Sequence, residues 1–392
     1  MSRSNESPTV RVNRRAEARL ADGHVWVYAS DIEDRGGAQP GDTVRVTGAR
    51  GRFLAVAHYS STSQIALRLL ATRDRAIDAA FFRGRIAAAW GFRQRLPGGA
   101  GVCRLVHAEG DLLPGLIVDK YGSHLSVQFL TQGMDRAKAW IVEALNEIVS
   151  PAGILARNDA AARRLESLPQ EQEILAGEVP ETVEFEMNGL RWRANLRRGQ
   201  KTGVFLDQRE NYLAAARWAR GRALDCFTST GGFALHLARV CESVEGVDSS
   251  ATALETAAAN RDLNGIGNVA FREADAFDYL SGLSHARRAF ETIVLDPPAF
   301  AKTKSQAQNA LRAYKEMNLK ALKLLAPAGV LITCSCSHHV SEADLLGVVA
   351  QAALHSGRTL RVLERRAQAA DHPILLTVPE TLYLKCLIFE AL

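Results

Sequence analysis

Hydrophobic and polar positions change rhythm along the chain. Over residues 9–70 apolar and polar residues alternate in short runs, "VWVYASDI", "DTVRVTGARGRFLAVAHYS" and "SQIALRLL", separated by "GGAQPGD" and "GARG". A period of two with glycine and proline breaks predicts a small β-rich unit. Its arginines, Arg11, Arg14, Arg15 and Arg19, are dispersed along it. Residues 75–90, "RAIDAAFFRGRIAAAW", repeat apolar positions at three and four and predict a helix. "CRLVHAEGDLLPGLIVDKYGSHLSVQFL" and "DRAKAWIVEALNEIV" read as strand, strand and helix, with more strands around 154–157 and 183–194. From residue 197 the texture changes. A helix, "DQRENYLAAARWA", precedes the strands "RALDCF", "SVEGVDS", "VAFREAD", "ETIVLDPP" and "GVLITCSC", with helical segments between them, one over about 305–325. Such alternation predicts a mostly parallel sheet covered on both faces. "LRVLERR" and "TLYLKCLIFEAL" predict the last two strands, the latter at the edge. The expected organisation is multidomain: a β-rich domain over 1–74, a small α+β domain over 75–185 and an α/β Rossmann-like domain over 186–392.

Composition narrows the setting. A chain of 392 residues with 47% hydrophobic content has ample material for two or three cores. A net charge of +5 is mildly basic and compatible with a polyanionic partner. The six cysteines form no C-x-x-C pair, which argues against zinc or another metal site and against a disulfide framework, and suits a reducing cytoplasm. The first 20 residues lack an apolar stretch of the secretory kind, and no segment approaches about 20 apolar residues.

Ligands of open α/β sheets bind beyond the carboxyl ends of the strands. "LDCFTSTGGFALHLA" lacks the G-x-G-x-x-G of a dinucleotide site, but Gly231 and Gly232 open its helix and allow a ligand close to the backbone. Asp225 ends the first strand and can hold the loop or reach a ligand amine. Asp248 ends the second and can accept from a ribose diol. Asp275 follows the third, where it can accept from an adenine amine while Phe277 packs on the ring. Asp296, with Pro297 and Pro298, ends the fourth. An amine, a ribose diol and an adenine without phosphate describe S-adenosylmethionine. Each acid singly is also an ordinary loop cap.

Five segments, "GQKTGVFLDQRENY", "LDCFTSTGGFALHLA", "LDPPAFAKTKSQ", "RAYKEMNLKALKLLAPAGVLITCSCS" and "AADHPILLTVPETLYLK", resemble the bacterial 23S rRNA large-subunit methyltransferase I family. That family combines a class I methyltransferase fold with cytosine-C5 modification. "GHVWVYASDI" and "SSTSQIALRLL" resemble a PUA domain, an RNA-binding β-barrel. The resemblance implies a β-β-α-β-β middle module, S-adenosylmethionine as cofactor, 23S rRNA as partner and a possible homodimer. It places Gln208, with Asn211 on the same helical turn, at the methionine end of the cofactor, which Asp225, Phe227, Gly231, Gly232, Phe233, Asp248, Asp275, Ala276, Phe277 and Asp296 would otherwise surround.

Cytosine C5 is a poor nucleophile. A thiolate adding at C6 makes C5 electron-rich, so the reaction needs an activated cysteine. Cys334 and Cys336 end the strand after "GVLIT". RNA cytosine-C5 methyltransferases carry their cysteine seven residues after a glycine and six before a glutamate. Gly329, Cys336 and Glu342 match both spacings, and Cys334 misses each by two. Both thiols are expected on one side of the strand, and both have a packing alternative. No cysteine follows Pro297, so product release falls to another base, Cys334 or a water. Asp296 would hold the N3/N4 edge of the base, with Pro297, Pro298 and Phe300 beside it. His338 and His339 read as surface or helix-start residues. Lys302 and Lys304 are placed to clamp a substrate backbone. "RWRANLRRGQKTG" sets Arg191, Arg193, Arg197, Arg198 and Lys201 around Trp192, either an RNA-stacking patch or a solvated face. Two rivals follow: a base-N methyltransferase using the Asp-Pro-Pro-aromatic element, and a non-catalytic RNA-binding or assembly protein.

Overall fold

The structure, a computed structural model, describes residues 7–98, 100–197, 204–285, 288–301 and 303–392. Its contacts divide the chain into two units. The first comprises Met1–Phe185, Asn195–Gly203 and Ala370–Thr381, and the second Glu186–Ala194, Val204–Ala369 and Leu382–Leu392.

The first unit begins with β1 (Thr9–Val12), α1 (Arg14–Ala21), β2 (Trp26–Tyr28), β3 (Ile32–Asp34), β4 (Thr43–Thr47), β5 (Phe53–Tyr59) and β6 (Ile65–Ala71). The strands form one six-stranded sheet in the order β2-β6-β5-β4-β1-β3, with β1 parallel to β4. Val10, Val12, Val44, Val46, Ala55 and Ala57 fill its core from alternate positions, as the period of two requires. The sequence pattern did not reveal α1: Asn13 caps it by accepting from Ala16 N at 2.9 Å, and its arginine-rich turns conceal the apolar stripe.

Next follow α2 (Ala79–Gln94), β7 (Val102–His107), β8 (Leu116–Tyr121), β9 (His124–Phe129), α3 (Gln132–Arg136), α4 (Lys138–Val149), β10 (Gly153–Arg157), α5 (Ala162–Leu165) and β11 (Gln172–Gly177). These strands make a second sheet in the order β11-β10-β9-β8-β7. Three strands precede its helices rather than two, because Gly122 and Ser123 turn "LIVDKYGSHLSVQF" into a tight hairpin. The sheet's edge strand β11 was not read from the residue pattern, although the implied β-β-α-β-β module has a second strand after its helix. It carries only one short apolar patch, and its partner strand β10 is fully buried.

The chain continues through β12 (Val183–Met187) and β13 (Leu190–Ala194), a two-stranded sheet. The second unit then alternates: α6 (Arg209–Trp218), β14 (Arg222–Cys226), α7 (Gly232–Leu237), β15 (Ser243–Asp248), α8 (Ala251–Leu263), β16 (Val269–Glu273), α9 (Ala276–His285), β17 (Phe290–Leu295), α10 (Ala307–Leu324), β18 (Leu325–Ser335), α11 (Glu342–Ser356), β19 (Leu360–Arg366) and β20 (Lys385–Ala391). The sheet order is β16-β15-β14-β17-β18-β20-β19. Pairs from β16 to β18 are parallel, and β20 runs antiparallel to both neighbours. β14 is the switch strand: the chain winds outward from it in one direction and then the other. The edge strand is β19, not β20. "KCLIFEA" is buried almost throughout, as a central strand must be, whereas "LRVLERR" stays half-wet.

Candidate active site

Seven side chains with usable chemistry meet one edge of the second unit's sheet. In spatial order they are Asp275 beyond β16, Asp248 ending β15, Asp225 near the end of β14, Asp296 after β17, Cys336 after β18, Lys385 starting β20 and Arg366 ending β19. The parallel order from β16 to β18 brings five carboxyl ends together, and the antiparallel return of β20 adds its amino end.

The loop after β14 is held in an unusual conformation. Phe227 (φ 66°), Ser229 (φ 49°) and Gly231 (φ 90°) are left-handed. For the first two this costs about 1–2 kcal/mol each. Hydrogen bonds fix the loop: Asp225 Oδ2 accepts from Thr228 Oγ1 (2.6 Å) and Ala234 N (2.9 Å), and Asp248 Oδ2 accepts from Ser229 N (2.9 Å). Asp225 is 0% exposed, and its Oδ1 has no hydrogen-bond partner among the described residues. Burial pushes its carboxyl up to about 7, against its own hydrogen bonds and with help from Asp296 and Asp248. Gly232 is required by a neighbour in the protein: a Cβ there would lie 2.4 Å from the Tyr212 ring. Phe233 packs edge-on to that ring at 4.8 Å and is core, as is Ala276.

Asp296 is half-buried, and its N–H donates to Cys226 O at 3.3 Å. A chain of donors leads to its side chain. Arg366 Nε donates to Asn211 Oδ1 (2.8 Å), Asn211 Nδ2 to Gln208 Oε1 (2.6 Å), and Gln208 Nε2 to Asp296 Oδ1 (3.0 Å). The guanidinium can only donate, so it orients the first amide, which orients the second. Gln208, expected to border the cofactor, thus directs both ends of its amide to protein partners.

The Asp-Pro-Pro segment and the cysteine segment meet through Ser337, whose Oγ accepts from Ala301 N (3.3 Å) and lies 3.3 Å from Tyr314 Oη. The two thiols differ. Cys334 is 0% exposed and faces Cys386 across β20. Burial holds that thiol well above its usual range, and Cys386 adds to the effect. Cys336 lies beyond the last strand residue, Ser335, and is half-buried. The two cysteines thus differ in exposure, Cys334 sealed within β18 and Cys336 half-buried just beyond its end.

A profile of the S-adenosylmethionine-dependent methyltransferase family matches residues 139–390, and one described as a PUA-like domain matches residues 10–72. The ribosomal RNA large subunit methyltransferase I of Tolumonas auensis is 38% identical over 396 residues, covering 98% of this chain and 100% of that protein. Its counterpart in Shewanella denitrificans is 41% identical over 376 residues, covering 93% and 94%. The chain belongs to the ribosomal RNA large subunit methyltransferase I family of S-adenosylmethionine-dependent methyltransferases. Its fold is shared by SMU.776, a methyltransferase solved in complex with SAH (TM-score 0.85, 19% identity, 98% of this chain and 100% of that one). Trm5b from Pyrococcus abyssi is a more distant likeness (TM-score 0.51, 17% identity, 70% and 74%).

Seen as a member of this family, the chain keeps some expected positions and gives others different work. Asp275 is exposed and caps α9, its Oδ1 accepting from Phe277 N (2.8 Å) and Asp278 N (3.1 Å). Phe277, Phe300 and Tyr314 form one aromatic row, with centroids 6.0 and 4.9 Å apart, and Phe300 is half-buried within it. Pro297 is buried and Pro298 exposed. Trp192 cannot stack on bases. It is 0% exposed, packs on His236 at 5.9 Å and donates to Met187 O at 3.2 Å. Its flanking residues Arg191 and Arg193 face outward from β13. His338 and His339 are exposed. Arg198, Lys201 and Lys302 lie outside the described residues, as does the side chain of Lys304. Gln208 and Asn211 were expected beside the cofactor, but their link to Arg366 and Asp296, and Lys385 itself, were not read from the sequence. Their only signal was "DQREN" opening a helix and a lysine leading an apolar strand.

Proposed function

We propose that the chain methylates C5 of a cytosine in 23S rRNA through a covalent bond between Cys336 and C6 of the base. The observation that carries this reading is the half-buried Cys336 at the same sheet edge as Asp296, in a segment joined to the Asp-Pro-Pro loop through Ser337. The names of the relatives support a large-subunit rRNA substrate, and a cytoplasmic setting is part of the same proposal. The domain limits 1–74, 75–185 and 186–392 belong to the same proposal.

The donor set fits S-adenosylmethionine. The partnerless Oδ1 of Asp225 suits an ammonium, and Asp248, half-buried with each oxygen accepting one backbone N–H, retains lone pairs for a ribose diol. Phe227 and Phe277 supply half-buried ring edges. The bound cofactor supplies an electrophilic methyl group.

The Cys336 thiolate would form a bond to C6, the C5–C6 π electrons would move onto C5, and C5 would take the methyl group as that group's bond to the donor's sulfonium sulfur breaks and leaves the electron pair on that sulfur. Asp296, oriented by Gln208, holds the N3/N4 edge while charge moves through the ring. Loss of the C5 proton returns an electron pair to C5–C6 and breaks the S–C6 bond. That proton passes to water at the opening. Cys334, sealed and held protonated, is a poor base for this step, so we assign it to packing. A base inside a helix must first flip out, at roughly a few kcal/mol.

The test is nucleoside mapping of 23S rRNA from cells with and without the gene. It is joined to a trap, RNA carrying 5-fluorocytosine, whose C5 fluorine cannot leave. A stable protein–RNA adduct on the Cys336 peptide is expected. Full methylation by a Cys334→Ala/Cys336→Ala double variant would move the assignment to an exocyclic amine or guanine N7.

A further inference from the structure

We propose that Lys385 is a positioning residue that holds the sulfur of Cys336 in the thiolate form. The inference rests on Cys336 being the nucleophile, and it begins from a placement with no role in the fold's packing logic. A lysine is 5% exposed in an interior strand. It pairs in register with Ser335, the residue before Cys336. Its Nζ donates to Ser337 O (2.7 Å), the residue after Cys336, and to Tyr383 O (3.0 Å). The ammonium is therefore clamped across the turn that carries the thiol.

Two carbonyl dipoles satisfy donors but do not neutralise a buried charge. The groups that bear on Lys385 electrostatically are Cys336 first, then Asp344 and Glu342 of α11. Both carboxylates have other partners. Asp344 Oδ2 accepts from Ser341 Oγ (2.6 Å) and Ser341 N (3.0 Å), and Glu342 pairs with Arg365. From α10, Tyr314 faces the same thiol, but burial pushes its hydroxyl up to about 12, so it stays neutral; Asp296, which also bears on Tyr314, is the negative charge that opposes ionisation of the thiol. Among these described groups, the thiol gains from the cation by ionising. On ionisation the S–H bond breaks, the proton goes to solvent, the electron pair stays on sulfur, and Lys385 remains an ammonium. Burial also brings Lys385 down to about 8, so its charge fades above that pH. The assistance is full below about 8 and is lost above it.

The test is the pH dependence of Cys336 alkylation by iodoacetamide in the full chain, read by mass spectrometry of its peptide. Cys336→Ala serves as the blank. The other five cysteines are buried. In the wild type the midpoint should lie below the ordinary thiol value of about 8.5. Lys385→Met should raise it by roughly one to two pH units and slow alkylation at pH 7 roughly tenfold or more. Lys385→Arg should restore most of the difference. Lys385→Gln keeps a neutral donor to the carbonyls and should behave like Lys385→Met. A wild-type midpoint at or above about 8.5 overturns the inference whether or not any variant folds. An unchanged profile in folded Lys385→Met or Lys385→Gln overturns it too. Alkylation requires no RNA, so a failure of the nucleophile assignment, seen as methylation by Cys336→Ala, is read separately.

Discussion

Arg93 in the first unit and Asp225 in the second are both wholly buried charged groups, and their surroundings differ in completeness. Arg93 donates to Arg104 O (2.7 Å), Asp371 O (2.6 Å) and Asp111 Oδ2 (2.8 Å), and its other terminal nitrogen also meets Asp111. Asp371 in turn accepts from Arg104 N (2.9 Å) and lies 2.8 Å from His372 Nδ1. Among the described residues, Asp225 has two donors on one oxygen and none on the other. A buried charge whose directions are filled serves the fold. One left with an open direction raises the energy of the ligand-free protein and becomes satisfied when a partner of opposite charge arrives. The contrast predicts that changes at the Arg93 knot cost stability, while changes at the sheet edge cost activity.

Cys336→Ala should reduce methyl transfer to background, a loss of roughly 10^4-fold or more, with a thermal midpoint close to wild type. Residual turnover near wild type would break the contrast at its functional end. Arg93→Met should act the opposite way, costing about 3–5 kcal/mol of unfolding free energy because Asp111 stays buried without its cation. Urea titration reads this directly, and a cost below about 1 kcal/mol would mean that the knot is idle.

Asp225→Asn sharpens the other side. The asparagine oxygen can keep both loop donors, so the fold survives while the charge goes. In the unfolded chain this carboxyl loses its proton near 3.8, and in the folded one near 7. Between those values the folded state binds the proton that the unfolded state has released. Asp225 therefore lowers stability as pH rises through this window, and its penalty is complete above about 7. The variant's advantage over wild type should grow between pH 4 and pH 8 by on the order of a few kcal/mol, measured by urea unfolding without cofactor. Cofactor affinity should respond in the reverse sense, rising through pH 7 in the wild type and remaining flat in the variant.

Gln208→Leu should lower kcat by roughly ten- to a hundredfold through misplacement of Asp296, with cofactor affinity little changed in a calorimetric titration. Arg361→Ala is the baseline. It removes an exposed pair with Glu390 (2.9 Å) and should alter stability by less than about 1 kcal/mol.

The parallel part of the catalytic sheet was legible because four of its strands, β14, β15, β16 and β17, end on or beside an acid, and the sheet's order brings those acids to one edge. The antiparallel end was misread. Position in the chain suggested that "TLYLKCLIFEAL" lies outermost, but its nearly unbroken burial requires neighbours on both sides. The rest was hidden by residues whose type understates their setting. Gln208 and Asn211 look like a wet helix face, and their role depends on Arg366 from 155 residues further along. Trp192 beside arginines resembles a stacking platform, yet strand alternation turns it inward and the arginines outward. Lys385 has the composition of a surface residue and the burial of a core one.

The Arg93–Asp371 contact joins residues 278 positions apart. The first unit returns to the chain at Ala370–Thr381, between two strands of the other unit's sheet. During synthesis the amino-terminal portion must therefore wait, with a guanidinium short of an acceptor, until nearly the whole polypeptide has emerged. No single cleavage point yields either unit intact. A fragment ending at Phe185 should be markedly easier to denature than the same residues within the complete chain.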